Sequence, residues 1–301
     1  MFRLLNIRSL VFLKSFFLLL VIIPVNSAFA EISVIDDFGD KVVLKSPAKR
    51  IVALYGAFNE ILFAMDLDDR IVARTAGDDY PAQIIKLPSI GTHMRPNSEL
   101  IVALNPDLVL QMAGRSQAKT ALEPLKERGI PTAMFKVTSF EDLYSLIWKI
   151  GTLTGEPKRA EKLVHSMIGR LDKVKNKYSK IKDKPEVFFE IRYPNLLAAG
   201  QGSIVSDIIV KAGGDNCVDN PKKIVRMGEE ELLRLNPENY VYQSGRMNQS
   251  PVVPSDRAHF KMIKAVRSGK VLKVDESVFS RPGPRNVDAV ETLADFLYNK
   301  N

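Results

Sequence analysis

EPKRAEKLVHSMIGRLDKVKNKYSKI, residues 156–181, is the stretch around which this 301-residue chain is organised. Ala160, Leu163, Val164, Met167, Ile168, Leu171, Val174 and Tyr178 recur at helical spacing, so one face is apolar while Lys, Arg and Glu occupy the rest. Pro157 suits a first helical turn, where its missing N–H is no loss. Gly155 stops the preceding helix and KDKP, 182–185, stops this one. At ~1.5 Å per residue such a helix spans about 39 Å. It divides two segments of similar length and pattern, and reads as a spine between an N-terminal lobe, 31–155, and a C-terminal lobe, 182–301.

Working outward, both flanks alternate short apolar strands with helices. Upstream, a hairpin is expected over 32–44, strands at 51–54, 71–73, 108–110 and 132–135, and helices at 57–65, 98–104, 117–128 and 140–152. Ser139, with Asp142 three residues on, forms a capping box at the start of the last of these. Downstream, strands are expected at 187–191, 240–242 and 271–274, and helices at 204–211, 229–235, 257–266 and 285–299. The pattern predicts an α/β fold: two Rossmann-like lobes with parallel-type sheets, bridged by one long spine helix.

The lobes repeat each other. RPNSELIVALNPDLVLQMAGR (95–115) lies over RMGEEELLRLNPENYVYQSGR (226–246). One offset of 131 residues relates Arg95 to Arg226, Glu99 to Glu230, Asn105-Pro106 to Asn236-Pro237, and Arg115 to Arg246. Matches recurring at one offset indicate a duplicated unit. In open parallel sheets, ligands sit beyond the carboxyl ends of the strands. Arg115 and Arg246 directly follow strands, and Arg95 and Arg226 lie in loops before the repeated helix. Arg192 follows VFFEI, and Arg281 lies in the loop after KVLKV. A lone arginine is ordinarily surface; six placed this way are expected to line an interlobe cleft, where the guanidinium fork suits carboxylates. Tyr55, Tyr193 and Tyr242 stand at strand ends as cleft walls or as core.

Composition narrows the function. With 46% hydrophobic and 26% charged residues the chain should fold as a globular protein. Its net charge of +8 includes Arg3, Arg8 and Lys14 of the first thirty residues, and no long basic run remains to bind nucleic acid. Cys217 is the sole cysteine, which excludes an internal disulfide and a cysteine-based metal cluster. Residues 1–30 read as a secretory signal peptide: basic residues, an apolar run at 16–23, Pro24, and the small pair Ala28 and Ala30 as the cleavage site. The mature chain is expected from Glu31, soluble in the periplasm and without a lipid anchor, since no cysteine follows the site. Gly200 and Gly202 in AGQGS lack the lysine of a phosphate-binding loop and read as turn glycines. Ser203 lacks a nucleophile elbow, so a secreted hydrolase is the out-of-class alternative and no catalysis is expected. Met94, Met112 and Met247 suit either a soft-metal site or packing; His165 and His259 read as structural or surface.

KRIVALYGAFNEILFAMDL, IVALNPDLVL, AAGQGSIVSDIIVKAGGDN and the terminal RPGPR resemble the cluster A (class III) substrate-binding proteins, periplasmic receptors of ABC importers for ferric siderophores, haem and vitamin B12. The resemblance covers essentially the whole chain after the leader. It implies a monomeric receptor with no cofactor, capturing an iron chelate and delivering it to an inner-membrane permease and its ATPase. A ferric siderophore is the first expectation, with haem or vitamin B12 as alternatives. It also implies that Glu99 and Glu230 dock the permease, one per lobe, and that the spine limits opening and closing. The segment IGTHMRPN carries His93 where the family often has a cleft aromatic. The expected ligand-binding set is therefore Tyr55, His93, Met94, Arg95, Arg115, Arg192, Tyr193, Arg226, Tyr242, Arg246 and Arg281. None contacts metal directly unless the ligand is haem, in which case His93, Tyr55 or Tyr242 is the axial ligand.

Overall fold

The computed structural model describes residues 31–114, 116–179 and 183–299, so the leader and Arg115 lie outside the described residues. The chain opens with an antiparallel hairpin, β1 (Ile32–Ile35) and β2 (Lys41–Leu44). The first lobe follows: β3 (Ile51–Ala53), α1 (Gly56–Ala64), β4 (Ile71–Ala73), a small hairpin of β5 (Gly91–Thr92) and β6 (Arg95–Pro96), α2 (Ser98–Ala103) and β7 (Leu108–Met112). After α3 (Ser116–Thr120) and α4 (Glu123–Lys126) come β8 (Thr132–Phe135) and α5 (Phe140–Thr154). The sheet is fully parallel in the order β4-β3-β7-β8. The direction of strand succession reverses at β3, and a crevice opens at such a point beyond the strand ends.

The spine is α6 (Pro157–Tyr178), begun by Pro157 after Gly155 adopts a left-handed φ of 69°. Ala160, Val164, Met167, Leu171 and Val174 form its buried stripe, while Ile168 stays exposed. Arg70 of the first lobe grips its start, donating to Glu156 at 2.7 Å and to the Thr154 carbonyl at 2.7 Å.

The second lobe comprises β9 (Glu186–Arg192), β10 (Leu197–Ala199), α7 (Ile204–Lys211), β11 (Asp215–Asn216), β12 (Ile224–Arg226), α8 (Glu229–Leu235) and β13 (Asn239–Ser244). It ends with α9 (Lys264–Arg267), β14 (Val271–Asp275), α10 (Glu276–Phe279) and α11 (Asn286–Tyr298). β9, β13 and β14 run parallel, but β10 and β12 add an antiparallel edge in the order β12-β10-β9-β13-β14. The second sheet is thus mixed, and Arg226, expected in a loop, sits exposed on edge strand β12.

The repeat is visible in the backbone. Asn105 and Asn236 end α2 and α8 in the same left-handed conformation, φ 46° and 45°, each before a proline that cannot continue the helix. Two expected helices differ. That over 117–128 breaks into α3 and α4 because Pro124 has no N–H to continue the ladder. That over 257–266 is replaced by a 3₁₀ turn, Phe260–Met262, and α9, because Arg257 turns inward: it is 4% exposed and bonds both oxygens of fully buried Glu190. Its guanidinium also stacks on Tyr193, 4.0 Å from the ring centroid.

Three apolar clusters hold the molecule together. One lies on the outer face of each sheet, around Val52 and Val109 and around Phe188 and Tyr240. The largest is continuous from Phe58 and Phe135 of the first sheet, through α5, α6 and α11, to Phe189 and Val241 of the second.

Candidate functional site

A cavity of about 370 Å³ lies where the carboxyl ends of the two sheets meet. The first lobe supplies Tyr55 and Gly56 after β3, Thr75, Gly77 and Asp78 after β4, and Thr92 and His93 from the β5–β6 hairpin. The second supplies Ile191 of β9, Ser203, Ile204 and Val205 at the start of α7, and Lys223 and Ile224 at β12. Arg246 and Met247 follow β13, and Glu276, Ser280 and Arg281 follow β14. The first-lobe wall is mainly polar; the second presents Ile191, Ile204, Val205, Ile224 and Met247.

Tyr55 sits at the N-cap of α1, its ring edge-on to both Phe58 and His93, with centroids 5.9 Å away in each case. Burial pushes its phenol up to about 12. His93 occupies the turn of the small hairpin, whose backbone is pinned by Gln111: the amide Nε2 donates to the His93 carbonyl at 2.9 Å. Gln243 does the equivalent in the second lobe, donating to the Ile191 carbonyl at 3.0 Å. Both glutamines are fully buried near the ends of the repeated strands, one residue out of the 131-residue register.

Asp78 forms part of the first-lobe wall. It accepts hydrogen bonds from the Thr75 N–H (2.7 Å), the Thr75 hydroxyl (2.9 Å) and the Asn59 amide (2.9 Å). Desolvation nonetheless holds its carboxyl above the usual range, against those bonds and the nearby Arg281. Gly56 makes the arrangement possible, since a Cβ there would fall 2.5 Å from Asp78 Oδ1 and 3.1 Å from Arg281 Nη1. Arg281 Nη1 lies 3.3 Å from Glu60 Oε1 of α1, and Glu60 also takes a two-pronged pair from Arg285 at 2.7 and 2.8 Å. Arg246 reaches across to the first lobe, donating from Nη2 to the Ala76 carbonyl at 3.3 Å. Glu276 accepts from the Met247 N–H at 2.7 Å. Lys223 is exposed and borders the cavity, and the surrounding protein lowers the pKa of its ammonium by partial desolvation.

Of the eleven residues expected to bind ligand, the cavity brings together Tyr55, His93, Arg246 and Arg281. Met94 is half-buried beside His93 and Arg95 is exposed on β6; neither lines the cavity. Arg192 ends β9 with its Nε buried and unpartnered, away from the cavity lining. Tyr193 donates to Glu229 at 2.9 Å beneath Arg257. Tyr242 faces the same way as Tyr240, two residues earlier, into the outer cluster of the second sheet. Arg226 is exposed on edge strand β12 and does not line the cavity, and Arg115 lies outside the described residues. Of the five expected cleft arginines among the described residues, two lie at the cavity, one of them already paired. Met112 is core while Met247 lines the cavity, so the three methionines form no joint site. Among the described residues no group of three His, Cys, Asp or Glu side chains is arranged to hold a bare metal ion. Thr75, Asp78, Lys223 and Glu276 went unnoticed in the sequence; only their positions just after strands, or in Lys223's case just before one, could have marked them.

Glu99 and Glu230 are both exposed in the first turns of α2 and α8. Asn97 caps α2 by accepting from the Leu100 N–H at 3.1 Å, whereas α8 begins with three glutamates, of which Glu229 is engaged by Tyr193. Among the described residues no helix is long and apolar enough to cross a membrane.

The model of the periplasmic binding protein family matches residues 51–278. The uncharacterised ABC transporter substrate-binding lipoprotein YvrC of Bacillus subtilis is 31% identical over 270 residues, covering 88% of this chain and 85% of that protein. The vitamin B12-binding protein of Photorhabdus laumondii is 27% identical over 249 residues, covering 82% and 87%. A crystal structure of a possible iron-binding periplasmic solute-binding protein from Staphylococcus epidermidis superposes with a TM-score of 0.72 at 29% identity, covering 84% of this chain and all of that one. With two α/β lobes on a spine helix, an interlobe cavity and a family match over most of its length, the chain belongs to the periplasmic binding protein family, as a cluster A substrate-binding component of an ABC importer and not an enzyme.

Proposed function

We propose that this chain captures a ferric siderophore bearing ionised oxygen groups and delivers it to an ABC permease and its ATPase. The observation that carries the reading is the cavity's two unlike walls. The Thr92 hydroxyl can donate to an oxygen-rich ligand, the second lobe covers its apolar body, and Arg246 meets its negative charge. Several relatives are named for related ligands: vitamin B12, haem and, in one similar fold, ferric hydroxamate. The receptor is exported, with its leader removed after Ala30. Unlike the lipoprotein relative, it carries no cysteine there to acylate; the intact mass of exported protein checks this. Titration with ferric siderophores, read by fluorescence quenching, tests the ligand. Arg246→Ala should weaken binding by about 2–5 kcal/mol. Unchanged affinity for every iron chelate tried rejects the reading.

A second reading, haem, is favoured by one observation: the edge-to-face contact of Tyr55 with His93 puts two axial-ligand types side by side. A Soret band that shifts in Tyr55→Phe or His93→Ala would establish it. A corrin, which wants aromatic walls, ranks third, since Tyr55 is the one tyrosine, tryptophan or phenylalanine among the lining residues.

A further inference from the structure

We propose that Lys223 is a second oxyanion receptor of this cavity beside Arg246, taking an ionised carboxylate of the ligand, and that Gly200 and Gly202 are the positioning residues that set it there. The inference rests on the reading of the cavity as a chelate site and assigns one contact within it.

Lys223 is the residue before β12, at the end of a strap that lies directly on the AGQGS turn. The Gly200 N–H donates to the Lys223 carbonyl at 3.2 Å, and the Gln201 N–H to the Asn220 carbonyl at 2.7 Å. A Cβ on Gly200 would lie 2.1 Å from the Lys222 carbonyl oxygen, and one on Gly202 would lie 2.4 Å from that of Pro221. Backbone cannot yield as a flexible side chain can, so only glycine allows the strap this close. The glycine pair is thus not merely a turn; it fixes where Lys223 enters the cavity, next to Ser203 and Ile204.

The charges around the cavity differ in how they are satisfied. Arg281 has Glu60, and Glu276 has the Met247 N–H. Among the described residues Lys223 has no carboxylate partner. Its ammonium is exposed at the cavity, and the surrounding protein lowers its pKa with no carboxylate to offset the effect. A ligand carboxylate supplies the missing counter-charge. Packing of the lysine's methylenes on the apolar wall is the competing role, and it has no preference for an anion.

The experiment uses matched probes. One pair is iron(III) protoporphyrin and its dimethyl ester; the other is an iron(III) tricarboxylate chelate and an uncharged iron(III) trihydroxamate. In the full-length receptor the ratio of affinities, acid over uncharged partner, should fall about tenfold or more in Lys223→Ala and be largely restored in Lys223→Arg. Gly200→Ala should lower the same ratio, and should lower it no further when combined with Lys223→Ala, as expected for residues acting through one contact. A thermal melt of each variant establishes that it folds. An unchanged ratio in Lys223→Ala, or an equal loss for both members of a pair, overturns the inference while leaving the chelate reading intact. Failure of the unmutated protein to bind any of the four probes overturns the chelate reading, and this inference with it.

Discussion

Glu60 of α1 binds Arg285 of the second lobe through both carboxylate oxygens, at 2.7 and 2.8 Å, with Glu60 almost wholly buried. Arg281 shares the same carboxylate. Three charges therefore form a second tie between the lobes, separate from the spine, and one of them borders the ligand cavity. Removing the acid leaves two guanidiniums facing each other without a counter-charge. Glu60→Ala is expected to destabilise the protein by about 3–5 kcal/mol, measured by urea unfolding. A loss under 1 kcal/mol would mean that water or Asp79 replaces the carboxylate at little cost.

Gly56→Ala tests the packing behind the first-lobe wall. The added methyl would meet Asp78 Oδ1 at 2.5 Å, so Asp78 and Arg281 must move. The expected result is a loss of about 1–3 kcal/mol in stability together with weaker ligand binding. Full affinity in the variant would show that Asp78 lies outside the binding wall.

Asp142 gives a prediction with a pH signature. Desolvation works against its ionisation, but hydrogen bonds from the Thr138 hydroxyl (2.7 Å), the Thr138 N–H (2.9 Å) and Ser139 outweigh it and hold the carboxyl below its ordinary value. A carboxyl whose pKa is depressed on folding adds stability above its unfolded pKa, and that stability is lost as pH falls through the folded value. Asp142→Ala should therefore cost about 1 kcal/mol near neutral pH, with the difference from wild type fading below about pH 4. A difference independent of pH would point to packing instead.

The permease contact is predicted to use Glu99 and Glu230. Replacing both by lysine should abolish uptake of ligand in cells and leave the affinity of the purified receptor as it was, because both carboxylates project from the exposed first turns of α2 and α8. Normal uptake by the double variant would remove the assignment.

Much of the fold was legible because its signals are local. The stripe on the spine, the Asn-Pro stops and the 131-residue offset each act within a few residues, and β4, β8, α7 and α8 fall at the boundaries expected of them. What escaped depended on distant partners. β10 and β12 are three residues each and exist by pairing with one another and with β9. The inward turn of Arg257 is dictated by Glu190, 67 residues earlier. The cavity was hardest for the same reason. Strand ends marked its rim, but whether an arginine there faces ligand, a carboxylate such as Glu60, or solvent is decided by the opposite lobe. Tyr242 shows the limit plainly: its place at a strand end was readable, but the face it takes follows from the side on which Phe188 and Phe260 pack.

The continuous apolar cluster has a consequence for how the molecule is made. Phe58 near the start of the chain and Leu293 near its end belong to the same core, closed by α6 and α11. The first lobe has a cluster of its own around Val52 and Val109, but the surface it gives to the shared core is fully covered only once the later helices are in place. A nascent chain built this way keeps part of its core uncovered until its last helix is available, which favours threading through a narrow channel before the final shape is acquired.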